Sequence, residues 1–463
     1  MNKSQPESDK PRANCGVIGA WNIPQASTMA YLGLYSLQHR GQEAAGIVST
    51  DSKKLYRHAG SGLVSDVFKH KGILESLPGN AAIGHNRYST TGPSSHDNCQ
   101  PLLVEDRFGP IAMSHNGNLV NYRSLRSFLE EEGSLFSTSS DSELILQLIA
   151  RSHAKSVPQR LMEALRLIEG AYSLILLTKN QIIAARDPFG IRPLCLGKLG
   201  DGYVIASETC ALDLLDATYL KDIQPGEVVV IDKSGLKQFQ FADSKKRAHC
   251  IFEYVYFSRP DSRIFGDNVD KTRRKLGHCL AMNHPVEGAD IVISVPDSSN
   301  TAALGFSHES GLQYEMALIR NHYVGRTFIE PEQRLRDFGV KIKFNPVAGV
   351  LRDKSVVVVD DSIVRGTTLK KLIRHIRKSG AAEVHIRISS PPIFRPCFYG
   401  MDFPTQEELI ANSRTILQIK EHIEADSLEY LTPEELLSSV PHDNGQGYCT
   451  ACFTGDYPIK IEQ

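Results

Sequence analysis

Several absences bound this chain before any motif is read. It has almost no net charge: Lys and Arg number 52 and Asp and Glu 53 across 463 residues. Bulk electrostatics therefore give no reason to expect nucleic-acid binding, and only a local patch could supply one. It has no long apolar run. The longest, such as VVVI at 228–231 and VVVV at 356–359, are strand-sized, well short of the ~20 residues that cross a bilayer. It has no disulfide framework either. Its nine cysteines, at 15, 99, 195, 210, 250, 279, 397, 449 and 452, are odd in number and widely scattered. That pattern argues against a secreted scaffold and for a reducing, cytoplasmic compartment, where thiols are buried, catalytic or metal-bound. The opening MNKSQPESDKPRAN lacks the apolar stretch of a secretory signal and is short for an organellar transit peptide. No internal repeat or low-complexity tract is present.

What remains is an ordinary composition, 41% hydrophobic and 23% charged. A chain this long rarely builds on one core, so two domains are expected. Residues 15–245 read as one unit: CGVIGAW as a strand, 29–40 as a helix, and AAIGHNRYST and GPIAMSHNGNLV as strands running into polar loops. DSELILQLIARSH at 141–153 has helical spacing and an N-cap at Ser140 or Asp141. GAYSLILLTKNQIIAARDPFG reads as a hairpin, and YVIASE and EVVVI as further strands. The antiparallel character predicts layers of helix and sheet. A charged linker follows at 243–249. After it ADIVISVP, YEMALIR and KSVVVVDD alternate with helical patterns, which predicts a parallel sheet covered on both faces. The last sixty residues read as mostly helical, ending in a tail that contains Gly and Cys.

The segment KSVVVVDDSIVRGTTLKKLIRHIRKSG carries the sharpest local pattern. An apolar strand ends in Asp360 and Asp361, a loop of small and hydroxyl residues runs from Ser362 to Thr368, and a basic amphipathic helix follows. Ligands of open parallel sheets bind beyond the carboxyl ends of strands. The loop offers backbone N–H groups and the positive end of a helix, and Thr367 and Thr368 add hydroxyls, which suits a phosphate. The two carboxylates would repel a bare phosphate. They fit if they hold ribose hydroxyls, or magnesium through water, so the whole describes a sugar phosphate. It is not a Walker loop, because GxxxxGK[ST] is missing. VPDSSNTAALGF repeats the design at a second strand end, with Asp297, Ser298 and Ser299. This half resembles the type I phosphoribosyltransferases. The resemblance implies phosphoribosyl pyrophosphate as substrate, bound by Asp297, Ser298, Ser299, Asp360, Asp361, Ser362, Arg365, Gly366, Thr367 and Thr368, with Mg²⁺ at Ser298, Asp360 and Asp361. The long, charged, Gly-bracketed segment 325–350 reads as a lid, or else as a surface loop.

In the first half, Cys15 stands beside SLQHRGQE (36–43), GHNRYST (84–90), SHNGNLVN (114–121) and SSDSE (139–143). Together these resemble the class II glutamine amidotransferases, N-terminal nucleophile hydrolases with an αββα core. The resemblance implies that residues 1–14 are a propeptide and that Cys15, once terminal, is the nucleophile activated by its own α-amine. It further implies that Asn116 and Gly117 form the oxyanion hole, and that Arg87 binds the glutamine α-carboxylate and Asp141 its α-amine. Arg40 joins the glutamine-binding set beside Cys15, with Tyr88 helping to close the pocket. The physics agrees: a zwitterion wants one cation and one anion, and an oxyanion wants N–H donors.

Across its whole length, with EYVYFSRPDS (253–262), YVGRTF (323–328) and PCFYG (396–400) added, the chain resembles the amidophosphoribosyltransferase family. The resemblance implies transfer of ammonia from glutamine to C1 of phosphoribosyl pyrophosphate, the opening step of purine synthesis, through an internal ammonia channel. It implies purine-nucleotide inhibitors and a homotetramer or homodimer. By the same resemblance Cys449-x-x-Cys452 joins Cys250 and Cys397 to hold a 4Fe–4S cluster, with zinc the chemical rival. The other cysteines beyond Cys15 read as plain buried residues. Three positions depart from the family pattern: Arg320 for Lys, His322 for Arg, and Ala348 where an arginine is usual, while Lys341 and Lys343 keep to it. A class II amidotransferase with another acceptor is the rival enzyme, and a catalytically silent nucleotide-binding scaffold the rival of another class. The DDSIVRGTT strand end opposes the first, and the intact nucleophile and oxyanion motifs the second.

Overall fold

The computed structural model describes residues 15–88, 96–243, 246–321, 344–401, 403, 405–441 and 446–461. The expected propeptide, the end of GHNRYST, part of the linker, YVGRTF, His322, Lys341, Lys343 and most of the expected lid lie outside these residues.

The first half is two stacked antiparallel sheets with helices outside. The seven-stranded sheet runs Thr218–Asp222, Cys195–Leu199, Gly202–Ala206, Gly16–Trp21, Ala81–Arg87, Ala44–Thr50, Leu55–Ser61. The six-stranded sheet runs Gly235–Gln240, Glu227–Asp232, Gln181–Arg186, Gly170–Leu177, Gly109–Leu119, Leu102–Asp106. Period-2 alternation explains the sandwich. Val17 and Trp21 face the second sheet, meeting Ile175, Ile182 and Val229. Ile18 and Ala20 face outward onto the helix Ala26–Ser36 through Ala30 and Leu34. In the other sheet Ile183 and Ala185 turn outward to the helices Asp141–Arg151 and Val157–Leu165. Both faces of each sheet are thus covered, which makes the αββα order, and strands such as Gly16–Trp21 are buried at every residue.

The second half carries a five-stranded, wholly parallel sheet in the order Gln313–Tyr314, Ile291–Ser294, Ser355–Asp360, Glu383–Ile388, Ser427–Tyr430. Val357 and Val359 pack toward Leu276, Leu280 and Phe306 on one side. Val356 and Val358 pack toward Leu369, Leu372, Ile373 and Ile376 on the other. Those last four, at i, i+3, i+4 and i+7, are the apolar stripe of the helix Thr367–Lys378. Its final turn carries His375, Arg377 and Lys378, which suits the negative end of the helix. Two short strands close the junction between the halves, His249–Cys250 pairing in parallel with Tyr448–Cys449. Among the described residues no helix is long and apolar enough to cross a membrane.

Four expectations need correction. The helix expected at 29–40 spans Ala26–Ser36; the chain then turns, with Arg40 N–H bonded to Leu37 O at 2.9 Å, because Arg40 is drawn into a buried ion network. HNGN is not a loop but strand, paired with Tyr172 and its neighbours. YEMALIR is two pieces: Gln313–Tyr314 ends the parallel sheet, while Leu318–Arg320 pairs antiparallel with Phe344–Pro346. A tight turn at Glu315–Ala317 separates them, with Ala317 N–H on Glu315 O at 3.0 Å. Finally, SLEY in the expected helical end is a strand of the parallel sheet, with Leu428 and Tyr430 buried.

Candidate functional site

Cys15 immediately precedes the strand Gly16–Trp21 and is buried. In the 463-residue chain it is peptide-linked to Asn14. Its thiol donates to Tyr88 O at 3.4 Å, and its own carbonyl accepts from Arg40 Nε at 3.2 Å. Burial pushes the thiol up to about 11, against the pull of a Tyr88 backbone hydrogen bond and the nearby Arg87 cation. An internal Cys15 is therefore a poor thiolate source near neutrality.

The groups expected around it converge. Arg87 closes the strand Ala81–Arg87, buried, and both Arg87 and Asp141 act electrostatically on the Cys15 thiol. Asp141 opens its helix behind the Ser140 cap, whose side chain accepts from Ser142 N–H. It accepts Leu119 N–H at 3.0 Å and faces His115 Nδ1 at 3.7 Å, so it is tied to the strand bearing Asn116 and Gly117. Asn116 is fully buried, and neither polar atom of its side chain has a partner among the described residues. A buried amide left unpaired costs roughly 1–3 kcal/mol, and here it points to a ligand. At Gly117 a side chain would collide with Ala171 O, so only glycine lets the strand close there.

Arg40, expected in the glutamine-binding set, lies beside Cys15 with its guanidinium engaged in ion pairs. Its guanidinium is 1% exposed and is taken by Glu208 on one side and by Glu253 on the other, at 3.0 and 2.7 Å. Burial opposes ionisation of both carboxyls, yet His39 with Arg40 holds Glu208, and Arg40 with Arg192 holds Glu253, below the usual carboxylate range. Arg40 is thus spent on positioning. Glu208, Glu253 and Arg192 were not singled out from the sequence. The clue available was a carboxylate or guanidinium inside apolar context, as in EYVYF and FGIRPL, since a buried charge demands a partner.

The second centre forms where two parallel strands end. Ser298 Oγ donates to Asp361 Oδ2 at 2.5 Å, and Ser299 Oγ to Asp360 Oδ1 at 3.0 Å and Asp361 Oδ2 at 3.3 Å. Ser362 Oγ donates to Asp361 Oδ1 at 2.7 Å. Asp360 and Asp361 are buried. Gly366, at φ 79°, caps the helix that begins with Thr367 and Thr368, a left-handed turn natural to glycine. Two expected ligands are engaged at the rim: Asp297 in an ion pair with Arg320, and Arg365 with Glu408 at 3.0 Å.

The four cysteines of the expected cluster also come together. Cys250, Cys397, Cys449 and Cys452 line one apolar cavity of about 20 Å³ with Ile191, Phe252 and Met401. Burial pushes up the Cys250 thiol, to about 11, and those of Cys449 and Cys452 as well, and neighbouring thiols of the set add to each. Among the described residues, no three His, Cys, Asp or Glu are placed to hold one metal ion.

Comparison with known proteins finds matches for both halves. A family model described as "Glutamine amidotransferase domain" matches residues 85–214, and one described as "Phosphoribosyl transferase domain" matches 275–389. The chain is 51% identical to "Amidophosphoribosyltransferase 1, chloroplastic" of Arabidopsis thaliana, over 98% of this chain and 80% of that protein. It is 49% identical to "Amidophosphoribosyltransferase" of Bacillus subtilis, over 97% and 95%. Among solved structures, glutamine phosphoribosylpyrophosphate amidotransferase from B. subtilis, complexed with ADP and GMP, superposes with a TM-score of 0.92 at 49% identity, covering 97% of this chain and 98% of that one.

Proposed function

The chain belongs to the amidophosphoribosyltransferase family, and from that premise we propose how its residues divide the work. The reaction moves ammonia from glutamine to C1 of phosphoribosyl pyrophosphate, giving phosphoribosylamine, glutamate and pyrophosphate, and opens purine biosynthesis. We assign residues 1–14 as a propeptide, 15–245 as the glutaminase domain and 246–463 as the phosphoribosyltransferase domain with its cysteine-bearing tail.

Once cleavage after Asn14 frees Cys15, its α-amine, with an ordinary pKa of about 7.7–8.0, takes the thiol proton. The sulfur attacks the side-chain amide carbon of glutamine. The oxyanion falls between Asn116 Nδ2 and the Gly117 N–H, ammonia leaves, and water releases glutamate from the thioester. Arg87 and Asp141 hold the two charges of the amino acid. The observation that carries this reading is the unpaired, buried amide of Asn116 on the strand to which Asp141 is bonded.

At the second centre, Asp360 and Asp361 orient the ribose while the Ser362–Thr368 loop holds the 5-phosphate on its N–H groups. Asp297, Ser298 and Ser299 face the pyrophosphate end. Ser298, Asp360 and Asp361 offer the oxygen donors that Mg²⁺ prefers, and bound there the ion would offset charge on the departing pyrophosphate. The four cysteines suit a 4Fe–4S cluster. Zinc at the same four thiolates is the chemical rival. Nine scattered cysteines, odd in number, support a reducing compartment, which we take to be the cytoplasm. By likeness to the B. subtilis complex with ADP and GMP we expect purine nucleotides to bind and inhibit, and from the family resemblance of the sequence a homotetramer or homodimer.

The test is pyrophosphate release from glutamine and phosphoribosyl pyrophosphate by protein whose N-terminus is sequenced as Cys15. No glutamine-dependent release from that form would overturn the reading. Iron and sulfide analysis of anaerobically purified protein tests the cluster, and zinc without sulfide would refute it.

A further inference from the structure

Three consecutive residues of the second half, Phe398, Tyr399 and Gly400, lie against the strand that carries Asn116 and Gly117. Asn118 Nδ2 donates to Phe398 O at 2.9 Å. Arg192 donates to Tyr399 O from Nε at 3.0 Å and from Nη2 at 2.6 Å. Gly400 has φ +100°, and a side chain there would lie 3.1 Å from the Gly117 carbonyl carbon and 3.3 Å from both Gly117 Cα and Arg192 Nη2. The third Arg192 nitrogen, Nη1, reaches Glu253 Oε1 at 3.3 Å. Glu253 sits on the single π-helical turn Glu253–Phe257 and also grips Arg40, whose Nε holds the Cys15 carbonyl. Arg192 and Glu253 are both fully buried.

One continuous path therefore runs from the backbone of Cys15 through Arg40, Glu253 and Arg192 to the Phe398–Gly400 backbone, and from there onto Gly117. We propose that Arg192 and Glu253, with the Phe398–Gly400 backbone, are positioning residues for the glutaminase half-reaction. Supplied largely by the second half, they set the nucleophile and the oxyanion strand in register with each other. The inference rests on the proposed roles of Cys15, Asn116 and Gly117. The need is physical: an oxyanion hole works because its donors are already in place, and a displacement of about 1 Å costs about 10²-fold in rate. Arg192 meets two acceptors with three nitrogens of one rigid plane, which the single ammonium of lysine cannot copy.

The experiment uses the mature full-length enzyme. Gly400→Ala, Arg192→Lys, Glu253→Gln and Asn118→Ala are each assayed for glutamine-dependent and ammonia-dependent pyrophosphate release on the same preparation. The glutamine-dependent kcat should fall about 10²-fold for Gly400→Ala and Arg192→Lys, as for a displaced oxyanion donor. The KM for glutamine should hold, because Arg87 and Asp141 are untouched, and the ammonia-dependent rate should hold as well. The rate at which an electrophilic diazo-ketone analogue of glutamine alkylates Cys15 should fall in step with kcat. Equal losses in both activities would show a merely structural role and overturn the proposal, as would wild-type glutamine use. Asn118→Ala removes the hydrogen bond to Phe398 O and keeps the test decisive if a glycine or arginine variant does not fold; it should lower glutamine use alone. Asn116→Ala separates the two layers. If it spares glutamine use, the oxyanion reading fails. If it abolishes glutamine use while the four variants keep it, only the positioning proposal fails.

Discussion

At the glutamine centre the side chain of Asn116 is buried without a partner among the described residues, whereas at the phosphoribosyl centre Asp360 and Asp361 already accept hydroxyls from Ser298, Ser299 and Ser362. The first is a frame held open by groups behind it: Arg40, Glu208 and Glu253 fix the backbone while the donors wait. The second satisfies itself, so a ligand or ion arriving there must displace internal hydrogen bonds. The contrast follows from the folds. An antiparallel sandwich fixes its strands from both faces, and a buried strand can keep a polar atom unpaired if packing holds it. A parallel sheet meets its ligand on loops at the strand ends, and loops can rearrange.

The sharpest way to break this comparison is Cys15→Ala in the mature protein. Glutamine-dependent pyrophosphate release should vanish, while release with high ammonia persists; loss of both would mean the two centres are not separable. Asp361→Asn should do the reverse in scope, lowering both glutamine- and ammonia-dependent rates by about 10²–10³-fold, measured at saturating substrates. Loss of the glutamine rate alone would place Asp361 in the wrong centre. Asn116→Ala should lower glutamine-dependent kcat by about 10²–10³-fold, the scale of a lost oxyanion donor, and leave the ammonia rate untouched.

The smallest effect concerns acid. Burial depresses the His85 pKa from 6.5 to about 3, and burial also lowers that of His115. Between pH 6.5 and 3 the unfolded chain binds a proton at His85 that the folded chain refuses. The stability His85 contributes is thus full above pH 6.5 and is lost as pH falls, at about 1.4 kcal/mol per pH unit for one proton. Urea midpoints across that range should show a shallower acid slope in His85→Gln; an unchanged slope would show that His85 charges freely in the folded protein.

Much of this was legible in the sequence. VVVVDD followed by SIVRGTT could only be a buried strand, a small-residue loop and a helix start, and the structure has them. The alternating apolar strands of the first half were equally clear. What escaped has physical reasons. SHNG looks like a loop because its residues are polar, yet it is a buried strand that carries the unpaired Asn116 side chain, and local composition fails where a site departs from packing rules. The buried carboxylates that pair with Arg40 were not foreseen. They stand 168 and 213 residues away, and no local pattern announces a pairing at that distance. The end of the chain read as helix because SLEY is short and flanked by good helix formers; only the edge of the sheet makes it a strand.

The two-residue ladder between His249–Cys250 and Tyr448–Cys449 also sets a timetable. Its halves are made about two hundred residues apart, which at ribosomal speed is roughly 10–40 s. Through that interval the sandwich can fold while the seam beside Phe398–Gly400 still lacks its closing strand. A nascent chain would therefore pass through a stage with a finished glutaminase sheet and an unsealed junction. Newly made protein would hold its folded sandwich before the groups that position Cys15 and the oxyanion strand are all in place.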